Sequence, residues 1–129
     1  MKLLSFIFIV TWQMSGSSAL FGMVSTDGAV WHPRAVVPAG PGCPDLDEND
    51  WTYQSDGTTM LAVLRNSGPA GVLCSSRSST EGHMWSGAKP LALPRPNNVL
   101  PRLACLANGL ITLSTGRIGL FLYIKQGQY

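Results

Sequence analysis

The chain contains little charge. Asp, Glu, Lys and Arg make up 12% of its 129 residues, whereas glycine occurs 14 times and proline 9 times. Long surface helices need a charged outer face, and glycine and proline interrupt them. The composition therefore predicts one domain of short strands joined by tight turns, and it argues against a helical protein.

Clusters of basic residues are also absent. The formal net charge is +2, and the 9 lysines and arginines are scattered along the sequence. Proteins that bind DNA or RNA concentrate positive charge on one surface, because contacts with the phosphate backbone supply much of their affinity. We therefore expect no nucleic-acid partner.

No apolar run reaches the roughly 20 residues of a membrane-spanning helix, so we expect no transmembrane segment. Residues 1–19 nevertheless have the pattern of a secretory signal peptide, since an apolar run over 3–12 is followed by the small residues Ser17 and Ala19. The same run also suits the first strand of a partial sheet. We therefore expect a secreted protein, or otherwise a cytoplasmic one, whose domain occupies residues 20–129.

Metal-binding and cofactor-binding patterns are missing too. Cys43, Cys74 and Cys105 lack the C-x-x-C spacing of zinc sites, and no glycine-rich phosphate loop occurs. We therefore expect no metal and no cofactor. Three cysteines cannot all pair within one chain. Either two of them form a disulfide in an exported protein, or all three are small apolar residues on strands.

The sequence does contain a repeated order of strands and turns. Alternating apolar residues and glycine-containing turns predict four strands that follow one another as a meander, after which the order restarts with three more. A polar, proline-rich connection is predicted before them, over residues 32–50. The predicted strands and their turns lie within 51–65, 70–76, 89–94, 100–106, 109–115 and 118–124.

Two of the turns share the pattern S-x-D-x-G-x-x-W. The first copy, STDGAVW, is one residue short, and the second, SSTEGHMW, has Thr80 in place of the aspartate. A unit that recurs about every 40 to 50 residues is typical of β-propeller blades. The motif residues are Ser25, Asp27, Gly28 and Trp31 in the first copy and Ser78, Gly82 and Trp85 in the second.

This pattern resembles the Asp box, a hairpin that connects the third and fourth strands of a sialidase-type blade. Residues 20–124 also resemble, in the order of their segments, the BNR-repeat, exo-alpha-sialidase-like proteins. An acidic stretch precedes a strand, an Asp-Gly turn and a strand ending in Arg. An Asp box follows, and then P-x-L-x-x-L-x-N-G and G-R-x-G.

The resemblance implies a fold and a role for the Asp-box residues. The fold is all-β, an incomplete six-bladed propeller with about two blades of antiparallel four-stranded sheets. The Asp-box aspartate would accept hydrogen bonds from backbone amides, the glycine would adopt a left-handed conformation, and the tryptophan would pack between strands. Both tryptophans are therefore expected in similar surroundings.

The resemblance also implies candidate site residues. In this family a buried glutamate before such a strand acts as the base for a tyrosine nucleophile, and Glu48 occupies a similar place. Arg65 resembles a member of the arginine cluster that binds the sugar carboxylate, and Arg117 is a looser second candidate. Without the resemblance, Glu48 is a solvated charge in an acidic loop, Arg65 marks the surface end of a strand, and Arg117 is a turn residue between glycines.

Other parts of that family's site are missing from the sequence. There is no Arg-Ile-Pro segment near the start and no tyrosine at a suitable distance after Arg117. No aspartic acid can be assigned as the proton donor either. We therefore expect a sialidase-like glycoside hydrolase fragment that is inactive by itself, with a sialylated glycan or another anionic carbohydrate as partner. The alternative is a non-catalytic Asp-box module that binds carbohydrate or protein. Open sheet edges would favour self-association in either case.

Overall fold

The computed structural model describes residues 6–14, 17–68, 71–94, 99–116 and 119–126. These residues form strands and turns, and none of them is helical. The prediction of an all-β protein is therefore confirmed. The strands are β1 (Phe6–Met14), β2 (Ser17–Ser25), β3 (His32–Val37), β4 (Leu46–Tyr53), β5 (Met60–Asn66), β6 (Leu73–Ser78), β7 (Lys89–Pro90), β8 (Arg102–Cys105), β9 (Leu110–Thr115) and β10 (Phe121–Gln126).

The strands form three antiparallel sheets. Sheet I has the order β1-β2-β3, sheet II has β4-β5-β6-β7, and sheet III has β10-β9-β8. Neighbouring strands in each sheet are also neighbours in the sequence, so each sheet is a meander. Over the described parts of the chain, no helix with the length and apolarity needed to cross a membrane is found.

Sheet II lies between the other two sheets. Side chains alternate between the two faces of a strand, and both faces of β5 are buried. On one face, Met60 and Leu64 join a core that includes Leu20 of sheet I. On the other face, Val63 packs in a second core with Leu113 of sheet III. The continuous apolar run of β5 is thus explained by burial on both sides.

A disulfide crosses the first of these cores. Cys43 and Cys74 are bonded to each other, and both residues are completely buried. The turn before Cys43 packs closely against the outer edge of sheet II. Gly42 has a φ of 79°, and a Cβ atom there would come within 2.8 Å of the Pro90 ring. Glycine is therefore required for this close approach.

Several predicted boundaries differ from the structure, and the strand expected over 89–94 is only Lys89–Pro90. Residues 32–37 were expected to belong to a connection, but they form β3, the edge strand of sheet I. Strand β4 begins at Leu46 and includes the acidic stretch that was expected to be a loop. The acidic side chains are tolerated in β4 because their partners come from distant parts of the chain, as described below.

The segment predicted as a signal peptide or a first strand is only partly described. Residues 6–14 form β1 and pair with β2 in an antiparallel register that runs from Phe6–Ser25 to Met14–Ser17. Residues 1–5 and 15–16 lie outside the described residues. Cleavage of this segment on export stays a prediction.

Candidate functional site

The second Asp-box turn and the pair Glu48 and Arg65 lie at opposite ends of sheet II, whereas the first Asp-box turn belongs to sheet I. In the register of β5 and β6, Met60 pairs with Ser78 at one end and Arg65 pairs with Leu73 at the other. We call the first the Asp-box end, because the second Asp-box turn starts at Ser78. We call the other the Arg65 end. Glu48 belongs to the Arg65 end, since it lies near the start of β4, which pairs with the last residues of β5.

The first Asp-box turn connects β2 to β3. One carboxylate oxygen of Asp27 accepts hydrogen bonds from the amides of Ala29 at 2.8 Å and Val30 at 2.9 Å. The hydroxyl of Ser25 accepts one from the amide of Gly28 at 2.8 Å. The amide of Val30 lowers the pKa of Asp27 most, and the amide of Ala29 and the hydroxyl of Ser25 lower it further. Gly28 has a φ of 76°, which costs glycine little.

The second Asp-box turn connects β6 to β7 and has a similar hydrogen-bond pattern. The hydroxyl of Ser78 accepts a hydrogen bond from the amide of Gly82 at 3.0 Å, and Gly82 has a φ of 79°. Thr80 stands where the motif has aspartate, and its hydroxyl accepts from the amide of Met84 at 2.8 Å. Threonine provides one oxygen in the place of a carboxylate, so this turn keeps its shape with fewer charge-assisted bonds.

The two Asp-box tryptophans differ in burial, contrary to the expectation of similar surroundings. Trp85 is 7% exposed and belongs to the core between sheets I and II, with its indole nitrogen close to Gly22 of β2. Trp31 is only partly buried, and its indole nitrogen donates to the carbonyl of Gly28 at 3.2 Å. Trp85 is the more buried because the Asp-box turn of sheet II packs on sheet I, which precedes it in the chain. Trp31 belongs to the Asp-box turn of sheet I, and no described sheet precedes sheet I.

A charged cluster occupies the Arg65 end. The Nη1 atom of Arg65 lies 3.3 Å from Oδ2 of Asp47 and 3.6 Å from Oε1 of Glu48. The other oxygen of Glu48 accepts a hydrogen bond from the amide of Leu100 at 2.9 Å, and Asp47 accepts one from the hydroxyl of Ser67. Two carboxylates thus surround one guanidinium. All three charged side chains are between 23% and 33% exposed, so solvent reaches the cluster.

The acidic residues of β4 also attach sheet III to sheet II. Besides the bond from Leu100 to Glu48, the amide of Leu103 in β8 donates to Asp50 at 2.8 Å. Leu100 has a φ of 49°, an uncommon conformation for a residue other than glycine. Sequence reasoning missed Asp47, Asp50 and the Leu100 amide. The acidic run was visible in the sequence, but its partners are about 50 residues away and no local pattern indicates them.

No tyrosine of the described chain reaches Glu48. Tyr53 ends β4 and pairs with Met60, which places it at the Asp-box end. The hydroxyl of Tyr123 is buried within the described structure, without a hydrogen-bond partner there. Arg117 lies outside the described residues, as does Tyr129. Of the three predicted site residues, Glu48 and Arg65 are in contact with each other. The catalytic role of Glu48 and the binding role of Arg65 stay predictions.

The turn between β4 and β5 contains Asp56, whose pKa is well below its usual value. Asp56 accepts hydrogen bonds from the hydroxyl and the amide of Thr59 and from the amide of Thr58, and these lower its pKa to about 2. Asp56 is exposed, so its carboxylate serves the turn and not a buried site. Within the described ranges, no three His, Cys, Asp or Glu residues are placed to hold a metal ion.

Comparisons with known proteins identify a solved structure with a similar fold. No family model matches the chain, and no curated protein does. A crystal structure of a protein of unknown function from Dyadobacter fermentans DSM 18053 is similar over 97% of this chain, with a TM-score of 0.83 and 17% sequence identity. At this identity the likeness concerns the fold alone. The match spans 35% of that protein, which is therefore nearly three times as long.

Proposed function

We propose that this chain is a segment of a sialidase-like β-propeller protein that acts on sialylated glycans, and that the segment by itself does not hydrolyse them. The main support is the pair of Asp-box turns. Each connects the last two described strands of its sheet, and in each a serine hydroxyl accepts from the amide of a left-handed glycine. Two copies of one turn at equivalent places fit a blade repeat better than coincidence does.

In this proposal the three sheets are consecutive blades of a six-bladed propeller. A blade cannot bury both of its faces alone, and sheet II buries both against neighbours. The outer face of sheet III still exposes Leu122 and Ile124, which are 61% and 60% exposed. A similar fold in a much longer protein is consistent with further blades that would cover such a face. Exposed apolar faces and open edges also favour self-association of this chain.

The Arg65 end is the proposed position of the glycan. Both described ion pairs of Arg65 involve Nη1, whereas a guanidinium carries five N–H donors. The remaining donors suit the carboxylate of a sialic acid. Because Asp47 and Glu48 already neutralise Arg65, we expect weak binding, with a Kd in the millimolar range, or about −4 kcal/mol.

Hydrolysis by the chain alone is expected to be undetectable. Glu48 has no described tyrosine to deprotonate, and a general base needs its proton donor within hydrogen-bond reach. The measurement is release of 4-methylumbelliferone from a 4-methylumbelliferyl sialoside. A rate above background that disappears in Glu48→Gln, with Glu81→Gln as the control for an exposed glutamate, would show that the chain is a complete enzyme.

A second candidate function is a non-catalytic Asp-box module that binds carbohydrate or protein. It is favoured by the engagement of both carboxylate oxygens of Glu48, one by Arg65 and one by the Leu100 amide. A base held in this way serves the joint between sheets II and III. An in-frame continuation of the gene that supplies another Asp box, a tyrosine and a further arginine would favour the enzyme over the module.

Secretion is part of the same proposal. The disulfide between Cys43 and Cys74 is consistent with an oxidising compartment, where such bonds form and persist. The sequence pattern of residues 1–19 also fits a signal peptide, and its cleavage would leave sheet I with most of β2 and with β3. A sialylated glycan on a cell surface or a secreted glycoprotein would be accessible to the protein there.

A further inference from the structure

A groove lies at the Asp-box end of sheet II, away from Arg65, and its lining is largely apolar with a few polar groups. It has a volume of about 410 Å³ and opens between the turn that ends at Thr59 and the second Asp-box turn. Its lining combines a guanidinium, four hydroxyl groups and two apolar side chains. The lining residues are Thr59, Arg77, Ser79, Thr80, Met84, Trp85 and Ser86.

Arg77 carries the only positive charge of this lining. It follows Ser76 on β6 and is half-buried beside Leu61. Its Nε atom is buried and has no hydrogen-bond partner in the described structure, and the two ion pairs of the described chain both belong to Arg65. A buried guanidinium N–H without an acceptor is unusual, because leaving such a donor unpaired costs free energy.

The nearby acidic residues do not neutralise Arg77. Asp56 is held by the amides and hydroxyl of its own turn. Glu81 is exposed and forms no ion pair with Arg77 within the described chain. The positive charge is therefore available to an anion from solution.

The hydroxyl groups define what else the groove would recognise. The Thr59 hydroxyl donates its proton to Asp56 at 2.6 Å, so its free electron pairs can accept from a ligand. Ser79 is exposed and has no described side-chain hydrogen bond, so it can donate or accept. Met84 is 68% exposed and offers an apolar surface beside them.

We infer that this groove binds a sugar acid, with the carboxylate on Arg77 and the sugar hydroxyls on Thr59 and Ser79. A guanidinium matches a carboxylate with two parallel hydrogen bonds, and serine and threonine hydroxyls complement the hydroxyls of a saccharide. This inference does not depend on the proposed function, because it concerns the opposite end of sheet II and different residues.

The test is a titration of the ¹⁵N-labelled chain with glucuronate, followed by amide chemical shifts. We expect shifts at residues 59, 77, 79 and 86, and affinity for glucose about tenfold lower, as the loss of one charge-assisted contact implies. Arg77→Gln should weaken binding about tenfold, Arg77→Lys should weaken it less, and Arg102→Gln, a change at an exposed arginine of sheet III, should leave it unchanged. Arg65→Gln should also leave it unchanged, which separates this site from the Arg65 end.

Three results would overturn the inference. They are equal affinity for glucose and glucuronate, equal loss of binding in the Arg77 and Arg102 variants, and inorganic sulfate binding as tightly as glucuronate at the same amides. The last result would indicate a general anion site without recognition of a sugar. Arg77→Lys retains the charge and the long apolar stem, so it keeps the test informative if Arg77→Gln does not fold.

Discussion

Replacing Cys43 and Cys74 together with alanine is expected to lower the free energy of unfolding by about 4 kcal/mol. The disulfide closes a loop with a sequence separation of 31 residues, and the loss of chain entropy in the unfolded state accounts for a stabilisation of this size. Both residues also belong to the core between sheets I and II. Because whole domains are stable by only about 5–15 kcal/mol, the loss is a large fraction of the total.

Urea unfolding followed by far-ultraviolet circular dichroism measures this effect at one fixed protein concentration. Cys105→Ser is the matched control, since Cys105 is the free cysteine of the described chain and is partly exposed. Its midpoint is expected to stay close to that of the wild type. If the double variant unfolds at the same urea concentration as the wild type, the disulfide does not hold the two sheets together.

Leu113→Ala is expected to destabilise the chain by about 3 kcal/mol, whereas Leu122→Ala should change its stability by less than about 0.5 kcal/mol. The two leucines lie on neighbouring strands of sheet III. Leu113 is completely buried against sheet II, and Leu122 is 61% exposed on the other face. Removing buried methyl groups leaves a cavity, whereas removing exposed ones does not.

A third variant, Leu122→Asp, tests the open outer face of sheet III. If this face mediates self-association, Leu122→Asp should shift the chain towards the monomer in size-exclusion chromatography with light scattering, while its urea midpoint stays near that of the wild type. Equal destabilisation by Leu113→Ala and Leu122→Ala would contradict the stacking of sheet III on one side only.

Local sequence patterns predicted the strands where turns and apolar residues agree. The Asp-Gly turn at residue 56 and the apolar run after it were sufficient for the end of β4, for β5 and for the hairpin between them. The proline in His32–Val37 concealed β3, although an edge strand tolerates proline because one side of it needs no partner. The start of β4 was concealed by its acidic residues, whose stabilising partners are distant in the sequence.

The candidate site could be predicted only in part for the same reason. Glu48 and Arg65 were identified from a resemblance, and the pairing of β4 with β5 brings them together. Asp47 competes for the same guanidinium, and nothing in the local sequence indicates this. Arg77 was not predicted as a site residue, because a single arginine on a strand belongs to no motif. Its position in a groove between two turns is known only from the structure.

The most direct test of the central claim is a titration of the ¹⁵N-labelled chain with 3′-sialyllactose, with lactose as the neutral comparison. We expect amide shifts around residues 47–48, 65–67 and 100 with 3′-sialyllactose, a Kd in the millimolar range, and loss of these shifts in Arg65→Gln. The Arg77→Gln variant should keep them. Equal shifts with lactose, or no shifts at the Arg65 end with either sugar, would contradict the central claim.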